Sequence, residues 1–425
     1  MTARIISSSS KKTVVQIEIE WNSSMLESEA RIQSALNEAG VTATEILLKR
    51  FDTSGEPIRF GSVSMTSKGE VDCAYQTPYG EVTVPRHVYQ TGKGGKTFCP
   101  LEQNARILLS ATPLFAKQLS HKYAEHGAGR VTIDLEENHG RKVARSFVQN
   151  IADAVAAVAQ ATEESWEYET PTQEQPVNAV SIGIDGTCML TVKDGWRQAM
   201  VGTIALHSND GERLHTIYLG ATPEYGKETF IERMEREISR VHALFPRAIF
   251  IGLADGARDN WPFLEKHTDR QLLDFYHASE YLTKAADAVF FKSPEERKAW
   301  LDDACHRLKH NRTGPAALLR EMKELRSRHI GQERRELLDD CITYFTNQKK
   351  RMNYAEHVEE NLPIGSGITE AACKVIVKQR LCGSGMRWKE QGAAAVLSLR
   401  TLSYTTGRWA QFWQKIDSSG FPLVA

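Results

Sequence analysis

The chain has 425 residues, 53 Lys and Arg against 54 Asp and Glu, and a net charge of −1. That length exceeds what one hydrophobic core usually supports, so two to four domains are expected. With 41% hydrophobic and 25% charged residues the composition is globular, which excludes a mostly disordered chain. Its apolar runs fall well short of the roughly 18 residues of a membrane span. The opening MTARIISSSSKK has no apolar signal core, so a cytoplasmic protein is expected. The 7 cysteines stand singly, as reduced thiols do.

In chain order, the first elements are a strand over Thr13 to Trp21 and an amphipathic helix from Ser24 to Ala39 closed by Gly40. Strands over Ile58 to Met65, Val71 to Gln76 and Glu81 to Tyr89 follow, forming a small antiparallel sheet in a domain over 1–100. The stretch 101–161 is helical. Thr112 and Pro113 open a helix to about Glu125, and a longer one begins near Gly140. There Val143, Phe147, Ile151 and Val155 face a core, while Arg141, Arg145 and Gln149 lie opposite. A helix, a turn and a helix with a basic face fit helix-turn-helix DNA binding, and a solvated surface helix is the plainer alternative. Residues 162–176 are acidic and contain proline, as linkers do.

Beyond the linker the pattern changes. Strands over Ala179 to Leu190, Gln198 to His207 and Leu214 to Gly220 come first, then a helix from Lys227 to Leu244. The strand Ala248 to Ala254, a short helix near Trp261 and the strand Gln271 to Tyr276 complete the segment 177–277. This order predicts an α/β, ribonuclease-H-like mixed sheet. Residues 278–362 show helical periodicity only, with 16 basic and 15 acidic side chains between Ala278 and Asn361, and read as an all-helical insertion. The segment 363–425 brings a helix from Ile368 to Leu381 and a basic tail. It carries eight basic residues, three acidic ones and Trp388, Trp409 and Trp413, which keeps a nucleic-acid partner open.

Three acidic positions stand out. Asp185 and Asp255 each end an apolar strand and precede a glycine, where ligands of open α/β sheets collect. Carboxylates brought together there repel unless a cation is shared, although an Asp-Gly turn explains each one singly. Glu370 lies in the first turn of a helix after a Gly-Ser-Gly loop, with Lys374 and Lys378 at i+4 and i+8. An exposed Glu–Lys pair is the alternative there. Asp274 and His277 close the fifth strand, placed to hydrogen-bond and orient the imidazole. The run Gly92 to Thr97 lacks the spacing of a phosphate loop, and His306 with His310 lacks the catalytic glutamate of a zinc helix.

The stretches GIDGT, ADGARDNW, DFYHASEYL, PIGSGITEAACK and SGMRW resemble, in order and spacing, the ISKra-type insertion-sequence transposases. These are bacterial DDE-class enzymes distantly similar to Mutator-like elements. The resemblance runs from Ser181 to Trp413, with a weaker echo over Val131 to Val148. It implies that Asp185, Asp255 and Glu370 are the catalytic, metal-holding triad, and that Asp274 and His277 match the D-x-x-H motif of the Mutator-like relatives as accessory residues. It further implies two Mg²⁺ ions, with Mn²⁺ as a substitute, about 3.5–4 Å apart around one phosphate. Asp185 would bridge them, Asp255 would hold one and Glu370 the other. Cleavage of a transposon end would free a 3′-hydroxyl that attacks target DNA. Lys374 and Lys378 would hold the DNA backbone, Arg387 and Trp388 the terminal nucleotides, and Arg141 and Arg145 the element's end. Relatives often carry a cysteine-rich, zinc-ribbon-like segment, but only Cys73 and Cys99 remain near the small sheet, which argues against zinc. The expected partners are double-stranded transposon-end and target DNA and further copies of the chain on that DNA, at the bacterial nucleoid, with no membrane. A ribonuclease-H-like nuclease without strand transfer and a domesticated DNA-binding regulator are the rival readings.

Overall fold

The computed structural model describes residues 3–60, 63–224, 227–327 and 331–421. The protein is mixed α/β and divides into two compact units. One comprises the chain up to Glu169 with Ser398–Ser403 and the chain from Gly407. The other comprises Thr170–Leu397 and Tyr404–Thr406. Among the described residues no helix is long and apolar enough to cross a membrane.

The first unit opens with an antiparallel pair, β1 (Ala3–Ser8) and β2 (Thr13–Ile17), of which only the second is predicted. The following helix runs over Met25–Lys49, straight through Gly40. That glycine does not end the helix. A Cβ there would lie 2.3 Å from the Tyr79 ring, so its bare backbone is what lets the ring pack on the helix. A three-stranded sheet, β3 (Ile58–Phe60), β4 (Val63–Gln76) and β5 (Glu81–Thr91), pairs in chain order. Tyr75, Val82, Val84 and Leu101 form its buried core.

After the short helix Pro100–Asn104, three helices follow where two are predicted: Pro113–Glu125, Ala128–His139 and Arg145–Thr162. Gly140 closes the middle one in the left-handed conformation, at φ +60°, instead of opening the last. Arg141 therefore lies between helices. It is buried, its guanidinium donates to Thr77 O at 3.1 Å and to Gln76 Oε1 at 2.8 Å, and it stacks over Phe115. The assignment of Arg141 to DNA is corrected accordingly, since its donors tie the turn between β4 and β5 to this segment. Arg145 stays exposed at the start of the last helix.

Two of the eight basic residues of the tail, Arg380 and Arg400, are also interior. Arg400, 1% exposed, donates to Ala124 O and Glu125, satisfying the carbonyl end of the helix Pro113–Glu125. Trp409 and Trp413 pack with Phe412 in one aromatic cluster.

In the second unit β6 (Ala179–Thr191), β7 (Gly195–His207), β8 (Arg213–Ala221), β9 (Ile249–Ala254) and β10 (Arg270–Leu273) form one sheet in the order β10-β9-β6-β7-β8. The first three strands are an antiparallel meander. β9 pairs parallel to β6, and β10 parallel to β9. The amphipathic helix Glu228–Leu244 buries Phe230, Met234, Ile238 and Val241 at the spacing of one helical face. The insertion is helical throughout its described residues: Phe275–Val289, Pro294–His310, Gly314–Leu325, Gln332–Gln348 and Tyr354–Glu359. The last strand stops at Leu273, short of the expected Tyr276. Asp274 instead caps the helix Phe275–Val289, because its carboxylate accepts the His277 N–H.

Candidate active site

Strand register brings the two aspartates together. Gly183 of β6 pairs with Leu253 of β9, so Asp185 and Asp255 each lie two residues beyond that pair, at the same end of parallel neighbours. Positions two apart share a sheet face, which puts Asp185 on the Gly183 side of β6. On that face Gly183 admits a helix. A Cβ on it would lie 2.0 Å from Thr369 Oγ1, and Thr369 also bonds Thr203 Oγ1 of β7 at 2.7 Å. Glu370, the next residue, thereby reaches the end of the sheet.

The helix Gly367–Leu381 is interrupted by one π-turn over Cys373–Lys378. Its inner side buries Ala372, Cys373, Ile376 and Val377, and its outer side leaves Glu370, Lys374 and Lys378 exposed. The Cys373 thiol donates to Asp185 Oδ2 at 3.3 Å. Burial and the charge of Asp185 push that thiol well above its ordinary range, so it stays protonated and remains a donor.

Asp185, Asp255 and Glu370 line one cleft of about 210 Å³, together with His277, Glu280 and Ser366. Neither aspartate makes a salt bridge with any described residue. The loop after Asp255 is held by Asn260, which donates to Ile184 O at 3.2 Å, and by Ala257 N–H, which donates to Asp255 Oδ1 at 3.0 Å.

Glu370 is pinned from behind by a buried network. Asp274 is fully buried, and one of its oxygens accepts the backbone N–H and the hydroxyl of Ser366. Its other oxygen accepts His277 N–H at 2.9 Å and faces His277 Nδ1 at 3.3 Å. Ser366 Oγ also lies 3.0 Å from Glu370 Oε1, and His277 Nδ1 lies 3.7 Å from it. Burial opposes ionisation of Asp274, but the hydrogen bonds from His277 and Ser366 outweigh it and bring its carboxyl down to about 2. The hydrogen bond to Asp274 raises His277 to about 9 against the cost of burial, helped by the charges of Asp274, Glu370 and Asp255.

Ligand atoms of Asp274, His277 and Glu370 all fall within 4.8 Å of one another, the spacing of a metal cage. A cage needs neutral imidazole and free carboxylate oxygens. The hydrogen bond to Asp274 favours the protonated imidazole and both Asp274 oxygens accept hydrogen bonds, so the three side chains form a hydrogen-bonded pin whose atoms are also close enough to share a cation. Asp185, Asp255 and Glu370 line the cleft itself, Asp185 accepting from Gly186 N–H at 2.7 Å and from the Cys373 thiol, and Asp255 from Ala257 N–H.

Of the residues expected to grip DNA, Lys374, Lys378 and Arg387 are exposed. Trp388 is already engaged: its indole N–H donates to Leu381 O at 2.9 Å, Arg380 lies over its ring, and its backbone pairs with Leu190 and Val192. It locks the segment after the helix onto the end of β6. Sequence reasoning missed Ser366, Cys373 and Glu280. Glu280 follows His277 by three residues on the same helix, a spacing that places both on one face. Ser366 and Cys373 lie inside the PIGSGITEAACK stretch, where the glutamate and lysine alone drew a role. No family model matches the chain, and no curated protein matches it.

Proposed function

We propose that the protein is a DDE-type polynucleotidyl transferase on a ribonuclease-H-like fold, a transposase similar to the ISKra type, that cleaves DNA ends and joins the freed 3′-hydroxyl to target DNA. The observation that carries the reading is the convergence of Asp185, Asp255 and Glu370, from two parallel strands and a helix, on one cleft. The sheet order, with an antiparallel meander followed by two parallel strands, supports the fold assignment.

The donor set fits a hard divalent cation: three carboxylates, two of them half-buried and without a salt-bridge partner among the described residues. Asp185, Asp255 and Glu370 would hold Mg²⁺, or Mn²⁺ in its place. Such an ion, when bound, supplies charge stabilisation at a phosphodiester and lowers the pKa of water. The chain's own residues do the rest. Cys373 orients Asp185 by its S–H, Ser366 ties Asp274 to the base of the glutamate helix, and the His277 cation faces Glu370 and limits repulsion among the acids. Lys374 and Lys378 present two ammoniums beside Glu370 for backbone phosphates.

Incubation of the full chain in Mg²⁺ with plasmid carrying the DNA that flanks its coding region tests this. Cut ends and joined strands are expected, and cut ends without joined strands would identify a nuclease instead. Asp185→Asn, Asp255→Asn and Glu370→Gln should each stay folded and lose cleavage. Retention of more than about a tenth of wild-type activity by any one would overturn its assignment, because loss of a metal ligand costs many-fold.

A further inference from the structure

Next to the carboxylate cleft lies a second hollow of about 420 Å³, and Asp255, His277 and Glu280 line both. Its remaining wall is shared between the loop Gly256 to Arg258 and two insertion helices, Phe275–Val289 and Gln332–Gln348, through Tyr281, Lys284, Tyr344 and Asn347. The insertion is thus part of the site's surface.

The loop is fixed from the insertion side. Tyr344 donates its hydroxyl to Asp255 O at 3.2 Å, and Gln348 Nε2 donates to Gly256 O at 3.1 Å. Gly256 sits at φ +102°, a conformation side chains resist, and a Cβ on it would lie 3.1 Å from Tyr344 Oη. Tyr344 in turn stacks on Tyr281, with centroids 3.6 Å apart and planes 7° apart. Lys284 Nζ lies 4.2 Å from the Tyr281 ring centroid. A ring face holds an ammonium in place without cancelling its charge.

Arg258 and Lys284 are exposed, and neither forms a salt bridge with a described residue. Two cations without an ion pair among the described residues, on a wall that also carries Asp255 and Glu280, leave an anion site on their own side of the hollow. A hollow of this size is within the roughly 300–1,000 Å³ range of small-ligand pockets, too large for a simple ion alone. It adjoins the carboxylate cleft across Asp255, His277 and Glu280, so a strand leaving that cleft would pass over it. Glu280 disfavours phosphate beside itself and biases the strand toward Arg258 and Lys284.

We propose that this hollow is a subsite for the phosphodiester backbone of the DNA strand running on from the scissile phosphate, with Arg258 and Lys284 as its phosphate-binding side chains. The naming of the scissile phosphate rests on the transferase reading above; the hollow and its cations do not.

The test measures anisotropy of a labelled DNA duplex bound by the full chain at two salt concentrations, without divalent metal. The Arg258→Ala/Lys284→Ala variant should lose about tenfold or more in affinity. Its salt slope should fall by about 1.4–1.8, the counterions of two phosphates. Lys298→Ala/Lys323→Ala removes equal charge elsewhere in the insertion and should change little. If the alanine pair perturbs the circular dichroism, Arg258→Gln/Lys284→Gln reads the charge alone. Unchanged affinity and slope in the folded pair would overturn the subsite, as would displacement of the DNA by a mononucleotide as readily as by an oligonucleotide. Cleavage scored in parallel keeps the two readings apart. Normal chemistry with an unchanged slope sinks the subsite alone, whereas absent chemistry with the expected slope change sinks the transferase and leaves the subsite standing.

Discussion

Asp274 and Ser366 stand 92 residues apart in the chain, yet one oxygen of the first accepts both the backbone N–H and the hydroxyl of the second. The chain leaves the sheet for its insertion at Asp274 and re-enters at Ser366, so this contact closes the insertion at its base. Phe275 N–H donates to Ile364 O at 3.1 Å beside it. Glu370 begins four residues later, and its place depends on that closure.

Asp274→Asn should therefore cost stability and cleavage together. An amide in place of the carboxylate turns one acceptor into a donor facing Ser366 or His277. Removing one partner of a fully buried charged pair costs about 3–5 kcal/mol; with His277 a third exposed, the loss here should fall below that range but stay above about 1 kcal/mol, the cost of a buried polar group left unpaired. Urea unfolding should report that loss, while Ser366→Ala, which keeps the backbone N–H, should lose less. Equal and small losses in both would mean that the network does not hold the insertion's base.

Gly183 provides a second test of how the helix is seated. Gly183→Ala places a methyl 2.0 Å from Thr369 Oγ1, too close to survive without movement. Overpacking of this kind costs about 1–3 kcal/mol. It should also move Glu370 away from Asp185 and reduce cleavage well beyond the stability effect. Adding Thr369→Ala removes the clashing oxygen and should restore part of both. A double variant no better than Gly183→Ala would show that the helix is positioned by other contacts.

The sheet and the insertion are legible in the sequence because their signals are local. Val180, Ile182 and Ile184 sit in one apolar run, and the insertion keeps helical periodicity throughout. Asp185, Asp255 and Glu370 are legible by chemical type at element ends. What sequence does not carry is contact between distant segments. Gly40 looks like a helix stop until Tyr79 is seen against it, and Arg141 looks like a surface cation until Thr77 O and Gln76 claim its donors. The helix Ala128–His139 is hidden by two early glycines and a β-branched run. Its buried Val131 and Leu135, four apart, were the readable trace.

His207 sets an acid limit on stability. It is buried at the end of β7, and its Nε2 lies 2.8 Å from Ser181 Oγ of β6. Burial holds its pKa down to about 4, with the charge of Arg213 acting in the same direction. The unfolded chain takes up this proton as pH falls below about 6.5, but the folded chain refuses it until about 4. Stability is therefore lost as pH falls through that window, by roughly 3 kcal/mol for a shift of this size. His207→Gln should be less stable than wild type at pH 7 and lose less between pH 6.5 and 4.5. Parallel pH slopes for the two proteins, measured by urea unfolding, would sink the assignment.

Lys374 and Lys378 separate grip from chemistry on the glutamate helix. Both are exposed on the side that carries Glu370, and neither forms a salt bridge with a described residue. A solvated helix face predicts that their loss is nearly silent, because exposed charges contribute little to stability. A phosphate-holding face predicts a different pattern. Lys374→Ala/Lys378→Ala should keep the unfolding midpoint and the affinity for Mn²⁺ but bind DNA ends more weakly. The salt slope should be shallower by about 1.8 for two duplex phosphates. Glu370→Gln should do the reverse, sparing DNA affinity and removing cleavage. The π-turn between the two lysines matters here, since it widens the helix where Cys373 reaches Asp185 and resets the angle at which Lys378 leaves the axis. If only Lys374 proves sensitive, the strand passes above that turn. If neither is, the DNA backbone does not cross this helix, and Glu370 acts without support from its own face.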